Sequence, residues 1–251
     1  MNGLKKKFEQ FIEDSRASFS GWDFSYLVQS GRMQEFPLTW NYYNEIRKYC
    51  GKADSVLDMG TGGGEFLSSL SFLPKDTCAT EGYAPNIKLA KERLEPLGIE
   101  VYPVESDTEL PFKEARFELI INRHESYSAE EIARILTKGG YFITQQVGGL
   151  NDQELNLLLG ADGCQADWNL NQARRELNDY NFDLIKLKED EVKNRFYDIG
   201  AVIYYLQAIP WTIPDFNVAK YHDQLFALHR FIEQQGYLDV MCHRFLIIAQ
   251  K

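Results

Sequence analysis

Closely spaced cysteines are missing. The chain has four, Cys50, Cys78, Cys164 and Cys242, with no short spacing between any two. Neither a zinc cluster nor a disulfide scaffold is expected, and a reducing cytoplasm fits. The four histidines, His124, His222, His229 and His243, are equally spread. His222 and His229 would share one face of a helix, but two residues do not make a ligand set, and no metal is expected. No apolar run reaches the ~18 residues that a membrane-spanning helix needs. The start, Met1 to Phe8, lacks the apolar stretch of a signal peptide. Positive charge is in deficit, the net formal charge being -10. That sign opposes broad binding to a phosphate backbone, and Lys5-Lys6-Lys7 reads as a short solvated run. There is no internal repeat and no low-complexity segment.

What is present suffices for a globular protein: 251 residues, 44% apolar and 25% charged. The densest signal is Ser55-Val56-Leu57-Asp58-Met59-Gly60-Thr61-Gly62-Gly63-Gly64. An apolar run ends in a carboxylate, glycines follow, and Glu65 to Leu70 resumes a helical rhythm. Strand, tight turn and helix are the expected elements. Glycine serves such a turn by allowing positive φ and by letting a ligand touch the backbone. No Lys-Ser or Lys-Thr pair follows, so a P-loop is disfavoured. The nicotinamide fingerprint places its last glycine where Leu67 stands. Asp58, close before the turn, would repel a pyrophosphate. It suits a ligand with hydroxyls and a cationic amine.

The rest alternates strand and helix. Strands are expected at 55–59, 78–81, 100–104, 117–122 and 141–147. Helices are expected at 4–13, 39–50 with Thr39 as N-cap, 85–94 and 128–136, the last opened by Ser128 and Glu131 at capping-box spacing. Gly139-Gly140 reads as a turn. The stretch from Phe19 to Trp40, with Trp22, Phe24, Tyr26 and Phe36, reads as a loop-rich cap and not as a strand of the sheet. After Val147 come helices at 151–159, 171–180, 199–209 and 219–235, with strands at 183–189 and 238–249. The economical fold is α/β, a doubly wound, mostly parallel sheet. The expected division is an N-terminal helical and aromatic cap over 1–50 and a main domain over 51–251. Segments around 150–180 and 199–222 are expected to form substrate lids. Trp168, Tyr204, Tyr205, Trp211, Phe216 and Tyr221 offer them an aromatic lining.

Asp58, Gly60, Gly62 and Gly64 together resemble the first motif of the class I S-adenosylmethionine-dependent methyltransferases, of the methyltransferase type 11 kind. Glu81 ends the second strand 23 residues past Asp58, where a carboxylate can accept from two ribose hydroxyls. The run Glu105-Ser106-Asp107-Thr108-Glu109-Leu110-Pro111-Phe112 before the fourth strand is similar to a second signature of that family. The resemblance implies a seven-stranded Rossmann-like sheet with an antiparallel finish and S-adenosylmethionine as cofactor, S-adenosylhomocysteine being the product. It implies that Asp58, Gly60, Thr61, Gly62 and Gly64 line the cofactor, Glu81 and Gly82 hold its ribose, Tyr83 stacks on its adenine, and Asp107, with Ser106 and Thr108, meets its amino group.

Asn122-Arg123-His124-Glu125 follows the fourth strand, where that family places the methionine end and the acceptor. Asn122 is the first polar residue after the apolar run, a candidate for cofactor contact and catalysis. His124 titrates near neutrality in its ordinary state and is the candidate base. Glu125 could bind a cationic acceptor or orient His124. The Asn-Pro-Pro-aromatic motif of nucleic-acid amine methylation is absent. The expected activity is methyl transfer to a small-molecule acceptor in the cytoplasm. A non-catalytic binding protein on the same fold, a nicotinamide oxidoreductase and an RNA methyltransferase are the alternatives.

Overall fold

The structure, a computed structural model, describes residues 2–17, 24–161 and 167–251. Phe19, Trp22 and Cys164 of the readings above lie outside the described residues. At the centre is β2 (Ser55–Met59), every residue of which is buried, as a parallel strand covered on both faces requires. β3 (Asp76–Glu81) pairs parallel with one edge of it and β5 (Phe117–Arg123) with the other. β4 (Glu100–Pro103) continues beyond β3, and β6 (Leu136–Val147) beyond β5, both parallel. β8 (Leu238–Gln250) closes antiparallel on β6. With β1 (Met33–Glu35) and β7 (Asp183–Phe196), the described residues form an eight-stranded sheet, ordered β1-β7-β8-β6-β5-β2-β3-β4. Strand order reverses between β2 and β5. In open sheets of this kind the ligand crevice lies outside the carboxyl ends at that point.

The chain folds as two compact units. One comprises residues 39–148, 168–189 and 244–251. Its core is built from Leu57, Phe117, Ile120, Ile132, Phe142, Leu177 and Phe245, against which Trp168 packs. The helices between its strands are α3 (Tyr42–Cys50), α4 (Glu65–Ser68), α5 (Ala84–Leu94) and α6 (Ala129–Ile135). α8 (Leu170–Asp179) belongs to the same unit.

The other unit comprises residues 1–38, 149–167 and 190–243. It holds α1 (Asn2–Asp14), α2 (Ser25–Gln29), α7 (Gln153–Leu159), α9 (Ile199–Ala208) and α10 (His222–Gln235). α9 is apolar all round, and nearly every residue in it is buried, as such a helix must be. Phe8, Leu27, Phe196, Leu225 and Ile232 pack in the same core. Asp198 opens α9 by accepting from Ala201 N (2.8 Å) and also takes two bonds from the Arg32 guanidinium (2.6 and 2.8 Å). Among the described residues no helix is long and apolar enough to cross a membrane.

Several local expectations are corrected. Residues 33–35 do join the sheet, as an edge strand antiparallel to β7. Three residues are too few to carry a readable period, and this strand makes the sheet eight-stranded and not seven. α3 begins at Tyr42, capped by Asn41, whose side chain accepts from Asn44 N (2.9 Å). Trp40 is turned inward instead, its indole N–H donating to Gln145 Oε1 (2.8 Å). Gly139 and Gly140 lie at an irregularity, where the register with β5 jumps from Phe117 opposite Leu136 to Leu119 opposite Tyr141 and Gly139 takes a φ of 81°. They lie within β6, where Gly139 N donates to Lys251 O (2.7 Å) and Gly140 O accepts from Lys251 N (3.0 Å). The helix after the glycines is one turn long. The Ser68 and Ser69 hydroxyls donate to Glu65 O (3.0 Å) and Phe66 O (2.7 Å), local bonds that compete with continuing the helix.

Candidate functional site

The glycine turn leaves β2 at the point where strand order reverses. Gly60, Gly62 and Gly64 have φ of 66°, 64° and 79°, in the left-handed region that favours glycine. Two of them also sit at close approaches. A Cβ on Gly60 would lie 2.4–2.6 Å from atoms of the Glu125 side chain, so the loop after β5 rests on the turn. A Cβ on Gly64 would lie 2.8 Å from Leu94 Cγ, so this glycine lets α5 close down on the turn. Thr61 N donates to Thr80 O (2.9 Å) and Gly60 N to Thr80 Oγ1 (3.4 Å), pinning the turn to β3. Arg93 bonds both the Gly63 carbonyl and Glu65. The Thr61 side chain is buried beside the Asp58 carboxyl group.

Carboxylates gather around this turn. Asp58, in the buried central strand, is 5% exposed. Burial pushes its pKa up to about 7; the Thr61 side chain and then Arg123 oppose the rise, and Glu81 adds to it. Glu81, 4% exposed, ends β3. Its pKa is raised by burial, while the backbone N–H groups of Tyr83, Gly62 and Gly82 favour the charged form. The Tyr83 bond to Oε1 is 2.7 Å long. Glu125 is half-buried, and its pKa is pushed up to about 7 by burial and then by the charges of Asp107 and Glu81. Asp58 and Glu125 each feel the charge of Glu81, and Glu125 also that of Asp107, so the acids form a linked cluster. These residues fit the cofactor implied above. A cation would relieve the repulsion, and hydroxyls would find acceptors on Glu81.

Asp107 lies in the loop after β4, half-buried, and accepts a bond from the Ser126 hydroxyl. Ser106 and Thr108 beside it are exposed and bonded to each other through their hydroxyls (2.8 Å). Tyr83 is 56% exposed at the mouth of the turn between β3 and α5.

Asn122 is fully buried. Its side-chain oxygen accepts from Thr144 Oγ1 (2.8 Å) and Gln146 Nε2 (2.7 Å), and its amide donates to Ser126 O (3.4 Å). Its backbone carbonyl accepts from the Tyr42 hydroxyl (3.0 Å). His124 follows with φ of 65°, and its backbone N–H donates to Gln145 O (2.8 Å). Its ring Nε2 lies 2.9 Å from Gln145 Nε2. Solvent reaches the residue. Desolvation of the ring, and then the positive charges of Arg244 and Arg123, hold its pKa well below the usual value.

Sequence reasoning missed the partnership of Trp40 and Gln145, which are 105 positions apart. No local pattern marks it. Glu125 was legible as an acid after the fourth strand, but its position over Gly60 was not. Among the described residues no group of His, Cys, Asp and Glu side chains is arranged to hold a metal ion.

Residues 57–144 match the family model described as Methyltransferase domain. No curated protein matches the chain. Solved structures of the same fold include the YcgJ protein of Bacillus subtilis, 16% identical with a TM-score of 0.59, covering 84% of this chain and 97% of that one. A candidate methyltransferase of Bacillus halodurans C-125 is 17% identical with a TM-score of 0.58, covering 83% of this chain and 98% of its own. A geranyl diphosphate methyltransferase in complex with SAM is 12% identical with a TM-score of 0.50, covering 83% of each chain.

Proposed function

We propose, from the match of residues 57–144 to the family model described as Methyltransferase domain, that the protein transfers a methyl group from S-adenosylmethionine to a small-molecule acceptor. The observation that carries this reading is the set of acids, buried Asp58 and Glu81 with half-buried Glu125, around a positive-φ glycine turn at the switch point. Glu81 accepts hydrogen bonds from the ribose hydroxyls, with Gly82 beside it. Gly60, Thr61, Gly62 and Gly64 give the amino-acid end a close backbone surface. Asp58 and Glu125 complement its positive charge. Tyr83 covers one face of the adenine, and Asp107, with Ser106 and Thr108, accepts from its amino group. The SAM complex among the structures of this fold supports the choice of cofactor.

When bound, the cofactor supplies a methyl group on a sulfonium, already activated for in-line displacement. The chain's task is then to place the acceptor behind that carbon and exclude water. Asn122, whose amide is taken up by Thr144, Gln146 and Ser126, acts by holding the loop after β5 in place. The test is formation of S-adenosylhomocysteine over a panel of small amines, thiols, alcohols and carboxylates. Turnover with at least one, reduced in Glu81→Ala through a higher KM for the cofactor, is expected. Turnover unaffected by Glu81→Ala would overturn the assignment.

A further inference from the structure

His124 stands in an arrangement that decides which of its nitrogens carries the proton. The Gln145 side chain is buried in β6, 7% exposed, between two partners. On one side Trp40, 8% exposed, donates its indole N–H to Gln145 Oε1 (2.8 Å). On the other side Gln145 Nε2 faces His124 Nε2 (2.9 Å). An indole nitrogen can only donate, and an amide NH2 can only donate. The carboxamide is therefore oriented by Trp40, and what it presents to His124 is a donor. Nε2 of His124 must accept, so it holds a lone pair. In a neutral imidazole the proton is then on Nδ1. Turning the carboxamide over would set its NH2 against the indole N–H and leave a buried donor unpaired, a costly arrangement. Protonating Nε2 would set two N–H groups against each other.

The charges nearby differ in sign from those at the glycine turn. Asp58, Glu81, Glu125 and Asp107 supply negative charge there, and Arg123 reaches Asp58 as well. Arg123 and Arg244 both act on His124, and Arg123 is positioned by the Phe66 ring, 4.3 Å from its centroid. A ligand whose end carries both an ammonium and a carboxylate meets charges of both signs here.

We propose that Trp40 and Gln145 hold His124 as a neutral imidazole with its proton on Nδ1. That N–H, with the charges of Arg123 and Arg244, receives the carboxylate at the amino-acid end of the cofactor. This rests on the cofactor assignment above. It makes His124 a binding donor and not a general base, and it makes Gln145 and Trp40 positioning residues. An acceptor served by this site reaches the methyl group without a base supplied by His124.

Two readouts test it. The first is the tautomer, read by long-range 1H–15N correlation on the ring-labelled protein, with His124→Ala identifying the resonances. The wild type is expected to have Nδ1 protonated and Nε2 bare, without titration between about pH 6 and 8. Gln145→Glu offers oxygens to both neighbours and is expected to move the proton to Nε2 and restore titration. Trp40→Phe is expected to free the carboxamide and give a mixture of tautomers. An Nε2–H tautomer in the wild type, ordinary titration near neutrality, or no response to Gln145→Glu would overturn the lock.

The second readout compares S-adenosylhomocysteine with 5′-methylthioadenosine, which shares the nucleoside but lacks the amino-acid end. Only S-adenosylhomocysteine should shift the Nδ1–H resonance. His124→Ala should weaken it by roughly tenfold, the cost of one charge-assisted hydrogen bond, leaving methylthioadenosine unchanged. An equal response to both ligands would overturn the carboxylate contact. If neither binds, the cofactor assignment and that contact fail together, while the tautomer readout still decides the lock.

Discussion

Asp58 is a carboxyl group at the centre of a parallel sheet, and its burial has a consequence for stability. With its folded pKa raised to about 7, the native state keeps a proton that the unfolded chain releases near its ordinary value. Stability from this group is fully present below the unfolded value and is lost as pH rises toward 7. The ligand-free protein should therefore become less stable between about pH 5 and 7, and Asp58→Asn should reduce that slope in urea titrations at several pH values, Glu125, also raised to about 7, carrying the remainder. A cation bound nearby pulls the proton off. S-adenosylmethionine should bind more tightly at pH 8 than at pH 6, with proton release, which calorimetry in buffers of different ionisation enthalpy measures directly. Affinity that fell with rising pH would contradict this. Glu81→Ala should cost about 1–3 kcal/mol of affinity for S-adenosylhomocysteine in an intact fold, measured by calorimetry. Gly60→Val places a side chain in the space of Glu125 at a φ of 66°, so lost binding together with a lowered melting temperature is expected. At this scale the glycines and the acids were legible because backbone freedom and charge belong to single residues. The setting of Trp40, Gln145 and His124 was not, since their hydrogen bonds join distant segments.

Elements divide in the same way. β2, β3, α5 and β5 stand close to where periodicity puts them, because an apolar run bounded by glycine or proline is a local signal. α6 begins after Ser128 as expected, and Ser128 accepts from Glu131 N (3.3 Å). The reciprocal half of the capping box is replaced. The Glu131 carboxylate accepts from Leu110 N (2.7 Å) and from Arg134 (2.6 and 2.8 Å), tying α6 to the loop that carries Asp107. β1 and the second half of β7 were hidden because a three-residue edge and a charge-rich strand owe their structure to each other. Asn41→Ala, which removes the cap of α3, should lower stability by about 1 kcal/mol in urea unfolding and leave cofactor affinity unchanged. A change within error would return the start of α3 to another residue.

At the scale of the whole chain, the resemblance carried by the turn from Asp58, by Glu81 and by residues 105–112 reappears in the family match over 57–144 and in the order of the sheet. The eighth strand is the one departure in that architecture. Composition could not reveal the division into two compact units, whose pieces alternate along the sequence. That division depends on which distant segments pack together. The central claim is that an adenosyl cofactor binds where the acids surround the glycine turn. Calorimetric titration of S-adenosylhomocysteine and of NAD into the wild type and Glu81→Ala tests it most directly. The account predicts saturable binding of S-adenosylhomocysteine, weakened by Glu81→Ala, and no comparable binding of NAD. Binding of NAD alone, or S-adenosylhomocysteine affinity unchanged by the substitution, would contradict it.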